Sequence, residues 1–316
     1  MPSKTGFIYH EHFLDHDPGP GHPEQPERLQ AIVEHLAASN LWDEFQHPDP
    51  HTASEEWILK VHTSSHLNLI KETSRRGGGI VDQGDTVVCA ESFDVALLAA
   101  GAVLTGVDAV VSGKLQNVFC AVRPPGHHAT RSEPMGFCLF NNVAVGARYA
   151  QERHGVGKIA IVDWDVHHGN GTQDIFYSDP TVLYISTHQY PYYPGSGSRS
   201  ERGEGKGEGF TLNIPMRSGS GEAEYMTAFQ QEIIPAIDNF HPELLFISAG
   251  FDAHRDDPLA NINLTEESYK KMTKMLMESA DKHCQGKIIS VLEGGYNLHS
   301  LSKSVEGHVR VLGGMG

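Results

Sequence analysis

Cysteine is scarce: the chain has four, Cys89, Cys120, Cys138 and Cys284, and no C-x-x-C pair. That argues against a disulfide-built scaffold and a thiolate zinc ribbon, and for buried free thiols in a reducing compartment. Long hydrophobic runs are also lacking, since nowhere do about 18 apolar residues stand together, as a spanning helix requires. The opening MPSKTGFIYH carries no long apolar segment either. The expectation is therefore a soluble, cytoplasmic protein without signal peptide or membrane span. Positive charge is in short supply, with Lys+Arg 24 against Asp+Glu 40 and a net charge of -16. Such a balance argues against nucleic acid or anionic membrane as the main partner, and it would attract cationic ligands such as lysine-rich peptides or polyamines. No Gly-Lys-Ser/Thr follows the triplet Gly77-Gly78-Gly79, so a phosphate loop is not expected there, and Arg75 to Gly79 reads as a flexible turn.

Apolar residues make up 39% of the 316 residues, enough to bury a proper core. No repeat, linker or low-complexity tract interrupts an alternation of short apolar runs and helical patterns. This predicts one α/β domain over 1–316 with a mainly parallel sheet. Strands are expected at Phe7–Tyr9, Val118–Val122, Ile159–Val162, Val182–Thr187, Phe210–Ile214, Leu244–Ala249 and Ile288–Leu292. Helices are expected after Pro26, over Ser92–Val111 and Val143–Ala150, over Glu222–Ile237, and from about Glu266 to His283. Trp57–Val61 and Leu67–Ile70 form two further short elements. The stretch from His10 to Arg28 is too rich in Pro, Gly and His for a helix and reads as an ordered loop near the site. Arg28 falls on the core side of the helix it opens, where its charge needs a partner.

The chemistry-bearing residues gather at strand ends. Asp163 and Asp165 stand two apart in extended chain and share a face that His167 continues, at the C-terminal end where open α/β sheets place their sites. A carboxylate beside an imidazole suits zinc or a related divalent ion, and a catalytic site needs a further protein ligand plus an open position. The strand ending at Val122 leads into Arg123-Pro124-Pro125-Gly126-His127-His128. The strand ending at Ala249 leads into Gly250-Phe251-Asp252 and supplies the missing acid. Ile288–Leu292 ends in Glu293-Gly294-Gly295-Tyr296, where the glycines allow a tight turn and free the phenol to project into the cleft. The excursion 189–209 is long for a compact domain, and Tyr192 and Tyr193 within it suit a substrate wall.

These motifs, Arg-Pro-Pro-Gly-His-His-Ala at 123–129, Asp-Trp-Asp-Val-His-His-Gly-Asn-Gly-Thr at 163–172, Ser-Ala-Gly-Phe-Asp at 248–252 and Glu-Gly-Gly-Tyr at 293–296, resemble the zinc-dependent histone deacetylase family. The likeness runs from His22-Pro23-Glu24 almost to the end, and Asn170 is similar to the class II and bacterial deacetylase-like amidohydrolase branch. The resemblance implies an arginase/deacetylase fold with a central sheet of about eight strands. It further implies Asp165, His167 and Asp252 as zinc ligands, His127 and His128 as the pair that divides the general-base and general-acid roles, in an order left open, and Asp163 and Asn170 as the groups that orient those histidines. Tyr296 becomes the oxyanion donor, and Gly136, Phe137, Tyr193 and Leu259 the channel. Two potassium sites follow from the same resemblance, one at Asp163, Asp165, His167, Ser186 and Thr187, the other at Phe176, Asp179, Val182 and Phe210.

The implied reaction is removal of an acetyl or other acyl group from the lysine side chain of a protein or peptide, with N-acetylpolyamine hydrolysis as the alternative. Leu259 stands where polyamine-selective relatives carry a glutamate, which favours acyl-lysine. A manganese ureohydrolase would need more bridging aspartates, and a non-catalytic acyl-lysine binding module would not need the histidines or Tyr296. The oligomeric state is left open by the 190–209 excursion.

Overall fold

Seven of the apolar runs become parallel strands. The computed structural model describes residues 4–315, so residues 1–3 and 316 of the expected domain lie outside the described residues. In chain order the elements are β1 (Thr5–Ile8), α1 (Glu27–Ala38), α2 (Glu55–Leu59), α3 (Ser64–Arg75), β2 (Gly78–Ile80), β3 (Val87–Cys89), α4 (Ser92–Val111), β4 (Asn117–Cys120) and α5 (Asn142–His154). There follow β5 (Ile159–Asp163), α6 (Asn170–Phe176), β6 (Val182–Gln189), β7 (Thr211–Met216), α7 (Glu222–Ala228), α8 (Ile234–Phe240), β8 (Leu244–Ala249), α9 (Glu266–Cys284), β9 (Ile288–Leu292) and α10 (Leu298–Leu312).

The main sheet has the order β1-β4-β9-β8-β5-β6-β7, every neighbouring pair parallel. Its seven strands compare with the eight or so implied by resemblance. The inner strands β4, β9, β8 and β5 are buried along their whole length, because helices cover both faces and neither face meets water. The helix α4 passes a length-and-hydropathy test for a membrane span, yet most of it is buried against α5, β4 and β9, as a core helix should be. In register, Asp163 lies beside Ser186 on one side and Ser248 on the other, so the polar strand ends of β5, β6 and β8 sit side by side.

Three local readings are corrected. The segment read as a flexible turn at Arg75–Gly79 instead ends α3 and opens β2, which pairs antiparallel with β3; Gly78 and Gly79 reach φ 110 and 151, open to glycine alone, and start the ribbon. The single helix expected over Glu222–Ile237 is α7 and α8 joined by a π-helical turn at Phe229–Ile233 and runs on to Phe240. Pro235, at the start of α8, has no N–H to close an ordinary helical bond, so the chain widens there. The helix α10 has no counterpart in the sequence reading; its buried stripe of Leu301, Val305, Val309 and Leu312 is interleaved with Ser300, Ser302, Ser304 and Gly307.

Candidate active site and metal centre

The loops after β4, β5, β8 and β9 meet at one end of the sheet. Asp165, His167 and Asp252 bring one ligand atom each to within 4.8 Å of one another, all three residues buried. His167 Nδ1 faces Asp165 Oδ1 at 3.2 Å and Asp252 Oδ2 at 3.1 Å. Backbone N–H groups hold the carboxylates in place: His167 N and Gly294 N donate to Asp165 at 2.9 and 2.8 Å, and Val166 N donates to Asp252 Oδ1 at 2.8 Å. There is no room for a side chain behind them. A Cβ on Gly250 would lie 2.1 Å from Asp165 Oδ2, and one on Gly294 would lie 2.3 Å from Asp252 Oδ2.

Two buried carboxylates this close oppose each other's ionisation. Burial and Asp165 raise Asp252 to about 7, while Asp165 is lowered, burial being outweighed by His127 and His167. Burial pulls His167 down, but hydrogen bonds to the two aspartates lift it to about 10. A set of two carboxylates and one imidazole, pinned from behind and converging from two strand ends, fits zinc by ligand type and number.

Around this trio the two expected histidines lie with ring centroids 4.0 Å apart and planes tilted by 44°, and they have different partners. His127 Nδ1 meets Asp163 Oδ2 at 3.0 Å, and Asp163 also accepts from Tyr184 at 3.1 Å. Burial lowers His127, but Asp165 and Asp163 dominate and raise it to about 10. His128 Nδ1 meets only the neutral Asn170 Oδ1 at 2.8 Å. Burial and the neighbouring His127 and His167 hold His128 well below the usual imidazole range. Glu293 accepts from the N–H groups of Gly126 and His127 at 2.7 and 3.1 Å and so fixes the start of the histidine loop.

A cavity of about 250 Å³ leads outward, lined among others by His128, Phe137, His167, Tyr193, Leu259 and Tyr296. Gly136 is here too, packed so tightly that a Cβ would lie 2.4 Å from His128 Cδ2. Phe137 is held at φ 68, an uncommon conformation for a bulky side chain. Its N–H donates to Thr86 Oγ1 at 3.1 Å, and its ring meets His22 at 4.6 Å and Tyr296 at 5.9 Å. Tyr193 stands edge-on to His128 at 5.2 Å. Burial and Asp252 push the Tyr296 phenol well above 10, so it keeps its proton at neutral pH.

Of the first proposed potassium group, Asp163 and Ser186 are paired across β5 and β6, and Thr187 Oγ1 is buried with no hydrogen-bond partner among the described residues. In the second group, Asp179 N donates to the Phe176 carbonyl at 2.9 Å, the Phe210 carbonyl accepts from Tyr184 N at 2.9 Å, and Val182 opens β6.

Residue patterns alone did not single out Asp257, and they gave Tyr192, a wall residue, and Glu24 no partner. Tyr192 stacks on His167 at 5.8 Å and donates to the Leu259 carbonyl at 2.5 Å, tying the 190–209 excursion to the loop after β8. Asp257 accepts from Tyr296 N at 2.7 Å and orients that turn. Glu24 joins the partner-seeking Arg28 to Arg123 at 3.0 and 2.5 Å, and Arg28 also donates to the carbonyls of Gly295 and Glu293 at 2.6 and 2.5 Å.

Comparison with known proteins places this arrangement. The histone deacetylase domain profile matches residues 22–312. A probable deacetylase of Archaeoglobus fulgidus is 42% identical over 296 residues, covering 93% of this chain and 82% of its own. A histone deacetylase-like amidohydrolase of Pseudomonas aeruginosa is 39% identical over 315 residues, covering 94% and 83%. The crystal structure of the HDA15 HD domain superposes with a TM-score of 0.94 at 40% identity over 98% of this chain and 89% of that one.

Proposed function

The chain belongs to the histone deacetylase family, whose members are deacetylases and amidohydrolases, and from that premise we propose that it is a zinc-dependent deacylase of lysine side chains in proteins or peptides. The observation that carries this reading is the joining of three buried ligand-type residues to two differently partnered histidines at the foot of an aromatic-walled channel.

When bound by Asp165, His167 and Asp252, zinc supplies Lewis acidity toward an amide carbonyl and a water. The chain's own groups do the rest. Phe137 and Tyr193 clasp the alkyl stem of the acyl-lysine and exclude water from it. His128, kept neutral by its surroundings, takes the proton from the attacking water. His127, kept cationic by Asp165 and Asp163, stabilises the negative charge that builds up and donates to the departing amine. The Tyr296 hydroxyl donates to the developing oxyanion, which for one donor is worth about 3 kcal/mol. Potassium at the two groups named above is part of the same proposal, as an ion that braces the ends of β5 and β6.

The test is turnover of zinc-loaded protein on an acetyl-lysine peptide and on N-acetylputrescine, with Tyr296→Phe as control. The peptide should be cleaved faster, and the variant should keep its zinc while losing about two orders of magnitude in kcat. A preference for N-acetylputrescine would overturn the substrate assignment, and an unimpaired variant would remove Tyr296 from the reaction. Two manganese ions per chain with arginine hydrolysis would make it a ureohydrolase.

A further inference from the structure

A second groove of about 770 Å³ opens beside the channel and shares Asp85 and Tyr193 with it. One wall is the turn between β2 and β3. There Val81 N donates to the Thr86 carbonyl at 2.9 Å, and the Asp82 carboxylate accepts from Gly84 N, Thr86 N and Thr86 Oγ1 at 3.0, 3.1 and 2.7 Å. The other wall is the turn at 130–135. Thr130 N donates to the Glu133 carbonyl, and Thr130 Oγ1 accepts from Ser132 N and Glu133 N. His62 ties the start of that turn to the start of α5, with Nδ1 against the Thr130 carbonyl at 2.8 Å and Nε2 accepting from Asn141 N at 2.9 Å. Both walls are thus fixed before any ligand arrives, which lowers the ordering cost of binding.

The lining of this groove has two characters. Leu69, Val81, Pro134, Met135 and Tyr193 form an apolar face, and Leu69 and Tyr193 stay 41% and 44% exposed. Asp82 is spent on its own turn, but the carboxylates of Asp85 and Glu133 form no ion pair with lysine or arginine among the described residues, and His22, whose Nε2 lies 3.1 Å from the Asp85 carbonyl, is the base that faces Asp85. No lysine or arginine lines either cavity. Burial and Asp82 raise Asp85, and His22 offsets only part of that rise.

We infer that this groove is a substrate subsite, which takes the residues flanking the acyl-lysine of a peptide and selects lysine or arginine among them. The inference rests on the deacylase reading of the channel, because continuity with that channel positions the flanking residues in the groove. An acetylated polyamine could satisfy the two carboxylates, but it has nothing to cover the apolar face. A peptide with a long cationic side chain does both, laying its methylenes on Leu69 and Met135 and its charge near Glu133 or Asp85. Carboxylates at a rim act mainly through complementarity and encounter rate, so the effect should be modest and salt-sensitive.

Two labelled acetyl-lysine peptides that differ only in carrying arginine or glutamate beside the acetyl-lysine test this, in anisotropy titrations and in turnover, on the wild-type protein and on Glu133→Gln. The arginine peptide should be favoured about 3- to 10-fold by the wild type, and the ratio should shrink in Glu133→Gln and at high salt. Reading the ratio within each protein cancels any general loss of activity in the variant. Equal affinity for the two peptides, or the same ratio in both proteins, would refute the subsite. If N-acetylspermidine displaces the arginine peptide at lower concentration than the peptide itself binds, the groove belongs to a polyamine and the inference falls. If the arginine peptide binds better but neither peptide is hydrolysed, the subsite stands and the deacylase reading fails.

Discussion

Replacing Glu24 by glutamine keeps its size and one acceptor while removing the carboxylate that pairs with both Arg28 and Arg123, three residues that are all 0% exposed. Two independent routes give the size of the effect. Arg123 and Arg28 overcome the burial that would raise the Glu24 carboxyl and hold it at about 2, against an ordinary value of 4.5, and that difference corresponds to roughly 3 kcal/mol of stability. Removing one partner of a buried ion pair, which leaves the other charge uncompensated, costs about 3–5 kcal/mol in general. Glu24→Gln should therefore lose about 3–5 kcal/mol in urea unfolding at neutral pH, followed by tryptophan fluorescence and far-ultraviolet circular dichroism. The pH dependence tests the origin of the loss. A carboxyl lowered on folding contributes fully above its unfolded value of 4.5, and that contribution is lost as pH falls through about 2. The gap between wild type and variant should thus be complete at neutral pH and close over that acid window. A loss below about 1 kcal/mol, or a gap that stays constant across the window, would refute the reasoning.

Two further outcomes follow from the site geometry. Asp252→Ala should cut zinc affinity by orders of magnitude, measured by metal analysis after dialysis against a weak chelator, and full retention of zinc would show the ligand set to be wrong. Asn170→Asp should put a carboxylate on His128 Nδ1 and raise that imidazole's pKa; because the neutral form is the working one, the acid limb of the kcat/KM profile should move to higher pH by about one unit or more, and an unmoved limb would take His128 out of the proton transfer.

The sheet could be read because burial on both faces requires unbroken apolar runs, and β4, β5, β8 and β9 show them. The ligand-type residues could be read because each stands directly after such a run. Other elements depend on contacts far apart in sequence. The helix α10 hides its apolar stripe among serines because Thr5 and Asn117 cap its end at the Leu312 carbonyl, and His308, between Thr273 and Ser290, fills its inner face. The Gly-rich ribbon β2–β3 has three residues per strand, too few for a period to show. Arg28 declared its need for a partner, but Glu24 and Arg123 became identifiable only once the fold had brought together residues 99 apart. Tyr192 could not be placed over His167 from sequence, because the path of the 190–209 excursion is set by contacts such as the one to Leu259.

The two glycines behind the Asp165 and Asp252 carboxylates have a consequence for how such a chain can change. At Gly294 the nearest obstacles to a methyl group are the carboxylates of Asp252 and Asp165, whereas at Gly250 the Cβ of residue 165 itself also stands 2.5 Å away. Neither shows the positive φ that would demand glycine for backbone reasons. Loss of the carboxylates would therefore relieve these contacts at 294, while 250 stays closed as long as residue 165 carries a Cβ. In a set of descendants, alanine or serine at 294 would mark lineages that have abandoned the chemistry, and glycine there would mark those still held to it.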